Sequence, residues 1–267
     1  MTVSAAPDRS ATSMATMMRS GVGLTIGRIV IALALLAAWQ LASGTIIPIF
    51  WISNPGRILE RLWTWAVSGS VWPHVYATVL TTSLGYLIGG ILGAALGLML
   101  GAWRRAERIV APLIAALFCL PKIALLPLFV IAFGIDIESK VALVSVVVVF
   151  LVLYSTIDGV RDVDLDLIDA LKLMGASRDE IVFKVILPST LPWIYNGLRV
   201  AVSYALTTAV VGELLSSNRG IGYLIESSAA RFDSTGVFAA VLVLVVLCVV
   251  VTEGLTLLER RASRHRI

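Results

Sequence analysis

Residues 164–192 read DLDLIDALKLMGASRDEIVFKVILPSTLP, a cluster of Asp, Glu, Lys and Arg within a chain that is 58% hydrophobic and only 14% charged. Ionisable groups elsewhere are sparse. Lys122, Glu213 and Glu253 fall inside or beside apolar runs, where a charge is expensive and by default functional. The two histidines, His74 and His265, lie at a span edge and in the tail, and the sequence has no HExxH and no GxxxxGK[ST]. Zinc hydrolysis and P-loop phosphate binding are therefore not supported. Ser145 and Ser203 have no base nearby in sequence, and a lone serine in an apolar helix usually bonds its own backbone. Cys119 and Cys248 stand alone in separate apolar runs, without CxxC or a neighbouring His. They read as reduced, packed thiols and not as a metal site or disulfide.

The elements that must position these groups are membrane helices. A bilayer core of about 30 Å takes roughly 20 apolar residues as a helix. The chain, with a mean hydropathy of +0.94, offers six such runs, near 24–44, 76–103, 109–133, 139–160, 190–215 and 236–258. The first run follows Arg9 and Arg19 like a signal peptide, but Trp39, Gln40 and the continuing run Ile46 to Trp51 do not form a small-residue cleavage site. It reads as an anchor. Arg104, Arg105, Arg108, Arg161, Lys172, Arg178, Lys184, Arg260, Arg261, Arg264 and Arg266 then fall on one side, against Arg57, Arg61, Lys140, Arg219 and Arg231 on the other. The excess of Lys and Arg places both termini and the polar stretch in the cytoplasm. The net charge of +4 and pI near 9.3 would suggest nucleic acid in a soluble protein. Here the basic tail RRASRHR follows a span and faces anionic lipid, so no nucleic-acid partner is expected.

Between the first two runs, Asn54 caps and Pro55 opens a short amphipathic helix with Ile58, Leu59, Leu62, Trp63 and Ala66 at helical spacing. It is expected on the outer surface, with Trp63, Trp65 and Trp72 at headgroup depth. The second run repeats glycine every fourth residue, Gly85, Gly89, Gly93, Gly97 and Gly101, a bare face that another helix can approach closely. The third carries Pro112, Pro121 and Pro127, so its backbone ladder is broken and an interior position is expected. Lys122 lies about 20 Å past Arg108 if the rise is helical. It either draws anions into a path or meets freed carbonyls and headgroups.

The polar stretch carries a full set of helix signals. Asp162 or Asp164 caps a first helix with Leu167, Ile168, Leu171 and Met174 on one face, and Gly175 ends it in a left-handed turn. Ser177 with Glu180 forms a capping box for a second helix, faced by Ile181, Val182, Val185 and Ile186 and ended before Pro188. A helix, tight turn and helix of about 30 residues is too well capped to be a slack linker. One apolar face is expected to rest on the spans while Gly175, Ala176 and Ser177 protrude toward a partner.

Asp169, Ala170, Gly175, Val185, Ile186, Leu187 and Pro188 resemble the Glu-Ala-Ala loop of ABC importer permeases, with Asp169 for Glu, Leu171 for the second Ala and Val185 for Ile. ISNPGRIL at Ile52, PKIALLPLFVIAFGI at Pro121, VGELL at Val211, GIGYLI at Gly220 and LLERR at Leu257 extend the resemblance to the nitrate, sulfonate and taurine group. It covers nearly all of the chain beyond the N-terminal tail. The resemblance implies an all-α, polytopic type I importer permease of six transmembrane helices in the bacterial inner membrane. Its segments would be a flexible tail at 1–23, the first span and external helix at 24–74, a permease core at 75–258 with the loop at 161–190, and a basic tail at 259–267. It implies a homodimer fed by an external solute-binding protein and driven by two cytoplasmic ATPase subunits that hold ATP and Mg, with no cofactor on this chain and no enzymatic activity of its own. Asp169, Ala170, Gly175, Ala176, Ser177, Leu187 and Pro188 would couple to the ATPases. Pro121, Lys122 and Glu213 are candidates for the path of a small anion. An ion-coupled carrier would usually place several acidic groups at mid-membrane, and an intramembrane enzyme needs a nucleophile with a base. Neither pattern is present in the residues.

Overall fold

The computed structural model describes residues 21–263. The expected tail residues at 1–20 and 264–267, with Arg9, Arg19, His265 and the last two arginines, lie outside them. Hydropathy alone generates the long helices: α1 (Gly21–Ala42), α3 (Trp72–Ala102), α6 (Ile137–Arg161), α9 (Leu187–Leu215) and α11 (Ser234–Ser263). Shorter helices are α2 (Pro55–Ser68), α4 (Arg104–Cys119), α5 (Leu126–Phe133), α7 (Leu165–Leu173), α8 (Arg178–Ile181) and α10 (Ile221–Ala230). Among the described residues, five helical stretches are long and apolar enough to cross a bilayer. The third expected run becomes a sixth only as a bent pair, because its two halves meet at 86°. The break falls at Leu120 and Pro121, both extended, while Pro112 stays inside α4.

The centre of the bundle is α6, held between α3 and α9. Val144, Val148 and Val152 of α6 pack at four-residue intervals against Ala201, Ala205 and Ala209 of α9, and all six are fully buried. The glycines of α3 meet the same row of α6 in the same register: Gly85 against Val144, Gly89 against Val148, Gly93 against Val152, Gly97 against Thr156 and Gly101 against Val160. Each glycine is a hole for one branched side chain, so the backbones close up and dispersion contacts replace a hydrophobic drive that lipid does not supply. A Cβ at Gly93 would stand 2.7 Å from the Val149 carbonyl oxygen and 2.9 Å from Val152 Cβ. Backbone cannot step aside, so Gly93→Val is expected to cost at least about 1–3 kcal/mol. Gly27→Ala, with open space around it, should stay within about 0.5 kcal/mol of the parent. Thermal unfolding of both variants in detergent checks the contrast.

Asn54 caps α2 by accepting from the Arg57 N–H at 2.8 Å, and Gly69 ends it in the left-handed region at φ 76°. Of the three expected tryptophans, Trp63 on α2 and Trp72 at the start of α3 are exposed, whereas Trp65 is half-buried. The helix is tied to the start of α11, where Arg61 donates to Asp233 at 2.6 Å and the Ser53 and Thr235 hydroxyls meet at 2.8 Å. Burial alone would raise the Asp233 carboxyl, but the Gly236 N–H and Arg61 together hold it below the ordinary carboxylate value. A depressed folded-state value contributes stability above the unfolded pKa that disappears as pH falls through the folded one. The stability gap between the parent and Asp233→Asn, about 1 kcal/mol or less for a partly exposed pair, should therefore be present near neutrality and close in acid. Unfolding midpoints at pH 7 and pH 3 measure it.

Two expectations about packing need correction. Cys119 and Cys248 are exposed thiols, because each sits on an outward face beside other exposed apolar residues such as Leu117, Leu120, Val246 and Val249. The broken third run is only half interior. Ile114 packs with Leu153 and Ile157 of α6, while Leu113, Leu117, Leu120 and Ile123 stay exposed on this chain.

Candidate functional site

The polar stretch folds as two helices around a tight turn. Asp164 caps α7 by accepting from the Asp166 N–H at 2.9 Å. The Ala176 N–H reaches the Leu171 carbonyl at 3.0 Å and the Gly175 N–H reaches that of Lys172 at 3.0 Å, which is the paired Schellman closure of a helix. Gly175 takes φ 81°, where a side chain would be strained. The capping box is complete: Ser177 Oγ accepts from the Glu180 N–H at 3.3 Å, and Glu180 Oε2 accepts from the Ser177 N–H at 3.0 Å. Ion pairs Lys172–Asp169 and Lys184–Glu180, both 2.8 Å, stiffen the two helices from outside.

Ile168, Leu171, Ala176 and Val182 close over Val160, Ile181, Ile186 and Leu98, so the unit sits on the ends of α3 and α6. Three details differ from expectation. Leu167 and Met174, assigned to the inward face of α7, point outward, and Ala176 is half-buried in the cluster instead of protruding. The most exposed large apolar side chains of the unit are Leu173 at 91% exposure and Met174 at 82%. A nine-residue helix that ends in a Schellman turn rotates its last residues off the stripe that a longer helix would continue.

Pro188 does not end the second helix. Residues Val182–Ile186 form a π turn in which the Leu187 N–H bonds the Val182 carbonyl, and Leu187 keeps helical angles at φ −59° and ψ −50°. The wider turn relieves the clash between the proline ring and the preceding carbonyls. Arg178–Leu215 is consequently one continuous 38-residue stretch, and the turn at Gly175 lies at the end of a rod that runs on through the membrane.

A residue the sequence reading passed over secures the base of this unit. Glu107, buried in the first turn of α4, accepts from Arg161 Nε at 2.7 Å, with Nη2 on the same oxygen. Arg161 also pairs with Asp158 at 3.5 Å. The signal was an acid in one helix's first turn and a base in another's last, but nothing local pairs those two helices.

The three path candidates do not converge. Pro121 is the extended residue of the break, and Lys122 Nζ donates to the Phe118 carbonyl that the break frees. Its ammonium also lies 4.2 Å from the centre of the Phe118 ring and 5.2 Å from that of Phe150. Glu213 sits beside Lys140, about 15 Å along α6 from Phe150. It is 3% exposed, and its Oε2 accepts from the Thr78 hydroxyl at 2.9 Å and the Gly222 N–H at 3.0 Å. The carboxylate thus serves the N-terminus of α10, where it meets the helix dipole. The Ile221 N–H bonds Thr78 Oγ1 at 2.9 Å and the Gly220 N–H bonds His74 Nδ1 at 3.1 Å. The VGELL and GIGYLI motifs are therefore two halves of one contact. Gly220, at φ 115°, and Gly222 leave the room that the carboxylate occupies. Lys140, counted among outer surface charges, is 1% exposed and turns its ammonium to the carbonyls of Ile135 and Asp136.

Residues 89–264 match the family described as binding-protein-dependent transport system inner membrane component. The chain is 34% identical to the formylaminopyrimidine transport permease protein ThiX of Halalkalibacterium halodurans, over 79% of this chain and 84% of that one. It is 30% identical to the taurine transport system permease protein TauC of Escherichia coli, over 91% and 89% of the two. Its fold is similar to that of a chain of the MetNI methionine ABC transporter in an inward-facing conformation. There the TM-score is 0.62 at 20% identity, covering 74% of this chain and 96% of that one.

Proposed function

Because the chain belongs to the family of binding-protein-dependent transport system inner membrane components, the multi-pass permeases of ABC importers, we propose that two copies form the path and are driven by two ATPase subunits docked at Gly175. Docking there fits the geometry of the unit. Exposed Leu173 and Met174 flank the turn, and the rod from Ser177 to Leu215 carries any displacement of the turn into the bundle as a rigid-body motion. That rod is the observation on which the reading rests. The excess of Lys and Arg on the loop side favours a cytoplasmic loop with both termini inside. Thiol labelling of Cys introduced at Ser177 from either side of the membrane tests the orientation.

The solute class proposed is a small organic sulfonate, on the strength of the taurine permease relative. The formylaminopyrimidine relative favours a nitrogen heterocycle as second reading. Binding to the native state alone raises a protein's unfolding temperature, so a melting screen of the partner binding protein decides between them, followed by ATP-driven uptake in proteoliposomes. Lys122 remains a proposed path residue: Lys122→Met should lower uptake severalfold while assembly with the ATPase persists. Normal uptake by that variant would leave Lys122 only its role at the helix break.

A further inference from the structure

The outward faces of two long helices differ in chemistry. On α11 the exposed residues Val241, Leu242, Val245, Val246 and Val249 are all aliphatic, as contact with lipid tails requires. On α9 the exposed residues include Asn196, Arg199, Ser203 and Thr207, and steps of three or four place all four on one stripe of the helix. The stripe is about 16 Å long, half of a bilayer core of about 30 Å. Exposed Tyr195 and Tyr204 border it. Its charge is deep, because Arg199 lies about 18 Å from Leu187 at the start of α9 and about 24 Å from Leu215 at the end. The level can be read on α6. A Cβ at Gly197 would stand 3.3 Å from Val152 Cα, and Ala201 packs with Val148 and Val152. Phe150 lies between those two valines, and the Lys122 ammonium is 5.2 Å from the centre of its ring. The turn Lys122–Leu125 rests on both α6 and α9. Two cations from different elements thus share one depth in the middle of the bundle, while the one acid of α9, Glu213, is about 21 Å further along the helix.

We propose that the stripe Asn196, Arg199, Ser203 and Thr207 is a wall of the water-filled path, and that Arg199 is its charge filter. A guanidinium facing lipid at mid-membrane is costly, whereas one facing a water-filled cavity is not. The amide and hydroxyls above and below it extend the wetted surface along the helix. Arg199 presents a planar fork of donors that matches an oxyanion and stays charged at any physiological pH. Lys122, at the same depth, adds a second positive charge to the field. Oxyanions are drawn to this level and cations are repelled from it. The inference rests on the transport reading but not on the choice of solute, since the filter acts on charge alone.

The test is thiol labelling of the assembled complex in nanodiscs, in a Cys119→Ser, Cys248→Ser background because both native thiols are exposed. The probes are an anionic and a cationic methanethiosulfonate. Ser203→Cys, one turn from Arg199, should react with both, and Val245→Cys on the aliphatic face of α11 with neither. Adding Arg199→Gln should lower the ratio of anionic to cationic rates at Ser203→Cys by at least about fivefold, and Arg199→Lys should retain it. The ratio should also be higher at Ser203→Cys than at Thr207→Cys, two turns away, a comparison that leaves Arg199 in place. An unreactive Ser203→Cys would put the stripe against lipid or a second copy and overturn the proposal. So would equal ratios at the two positions or a ratio unchanged by Arg199→Gln. Uptake of a sulfonate by a complex whose Ser203→Cys does not label would remove the filter and leave the solute class standing. Labelling as expected, with uptake confined to a heterocycle, would sustain the filter and remove the sulfonate.

Discussion

A Gly175→Asp chain should fold, enter the membrane and lose at least tenfold of its ATP-driven uptake. Gly175 takes φ 81° and a Cβ there would meet nothing within 4 Å. The conformational cost of a side chain in the left-handed region is about 1 kcal/mol, and Asp and Asn tolerate that region better than most residues. That cost is not enough to unfold a bundle whose core lies elsewhere. What changes is the surface: a carboxylate is added at the tip of a protrusion proposed to enter a partner's groove, where an unpaired buried charge is strongly unfavourable. Gly175→Asn is the control, because it has the same shape and backbone demand without the charge. It should retain most of the uptake. Transport and ATPase stimulation are measured in proteoliposomes, with unfolding midpoints for both variants. If Gly175→Asp stimulates its ATPase and transports like the parent, the turn does not carry the coupling.

The largest loss of stability is expected at Glu213. Its carboxylate holds the Gly222 N–H and the Thr78 hydroxyl in a buried setting, and through Thr78 the Ile221 N–H is also placed. Glu213→Ala leaves these donors without an acceptor and frees the N-terminus of α10 from α9. Hydrogen bonds to a charged group are each worth about 1.5–3 kcal/mol, so a loss of about 3 kcal/mol or more is expected. Gly222→Val should be comparably damaging from the other side, since its Cβ would stand 2.7 Å from Glu213 Cβ with the Val210 carbonyl closer still. Glu213→Gln keeps an acceptor oxygen and should fall between. Because Glu213→Ala and Gly222→Val damage one contact, the double variant should lose less than the sum of the two. Additive losses, or a Glu213→Ala variant within about 0.5 kcal/mol of the parent, would show that the clamp does not hold α10.

Sequence reading went furthest where the physics is local. Asn54 before Pro55, Asp164, Gly175 and the Ser177–Glu180 pair each act within four residues of themselves, and all do in the fold what their chemistry predicts. Pro188 is the instructive failure. A proline forbids a regular helix at the preceding residue, but the rule does not include the π turn at Val182–Ile186, which exists because the helix is held on both sides and widens more cheaply than it breaks. Hydropathy found the 109–133 run and its prolines, yet could not give the 86° bend or put the ammonium of Lys122 on the Phe118 carbonyl.

The order of spans, the bare glycine face of α3 and the two capped helices of the 161–190 loop were determined by the sequence alone, because each depends on residue type and spacing along one helix. Which helix fills the glycine face, how Arg161 finds Glu107, and why Glu213 and Lys140 are buried were decided only by tertiary structure. The glycine face meets its partners 59 positions on, Arg161 meets Glu107 across 54, and Glu213 meets Thr78 across 135. Their partners are chosen by how α3, α4, α6 and α9 pack, and no local propensity encodes that arrangement.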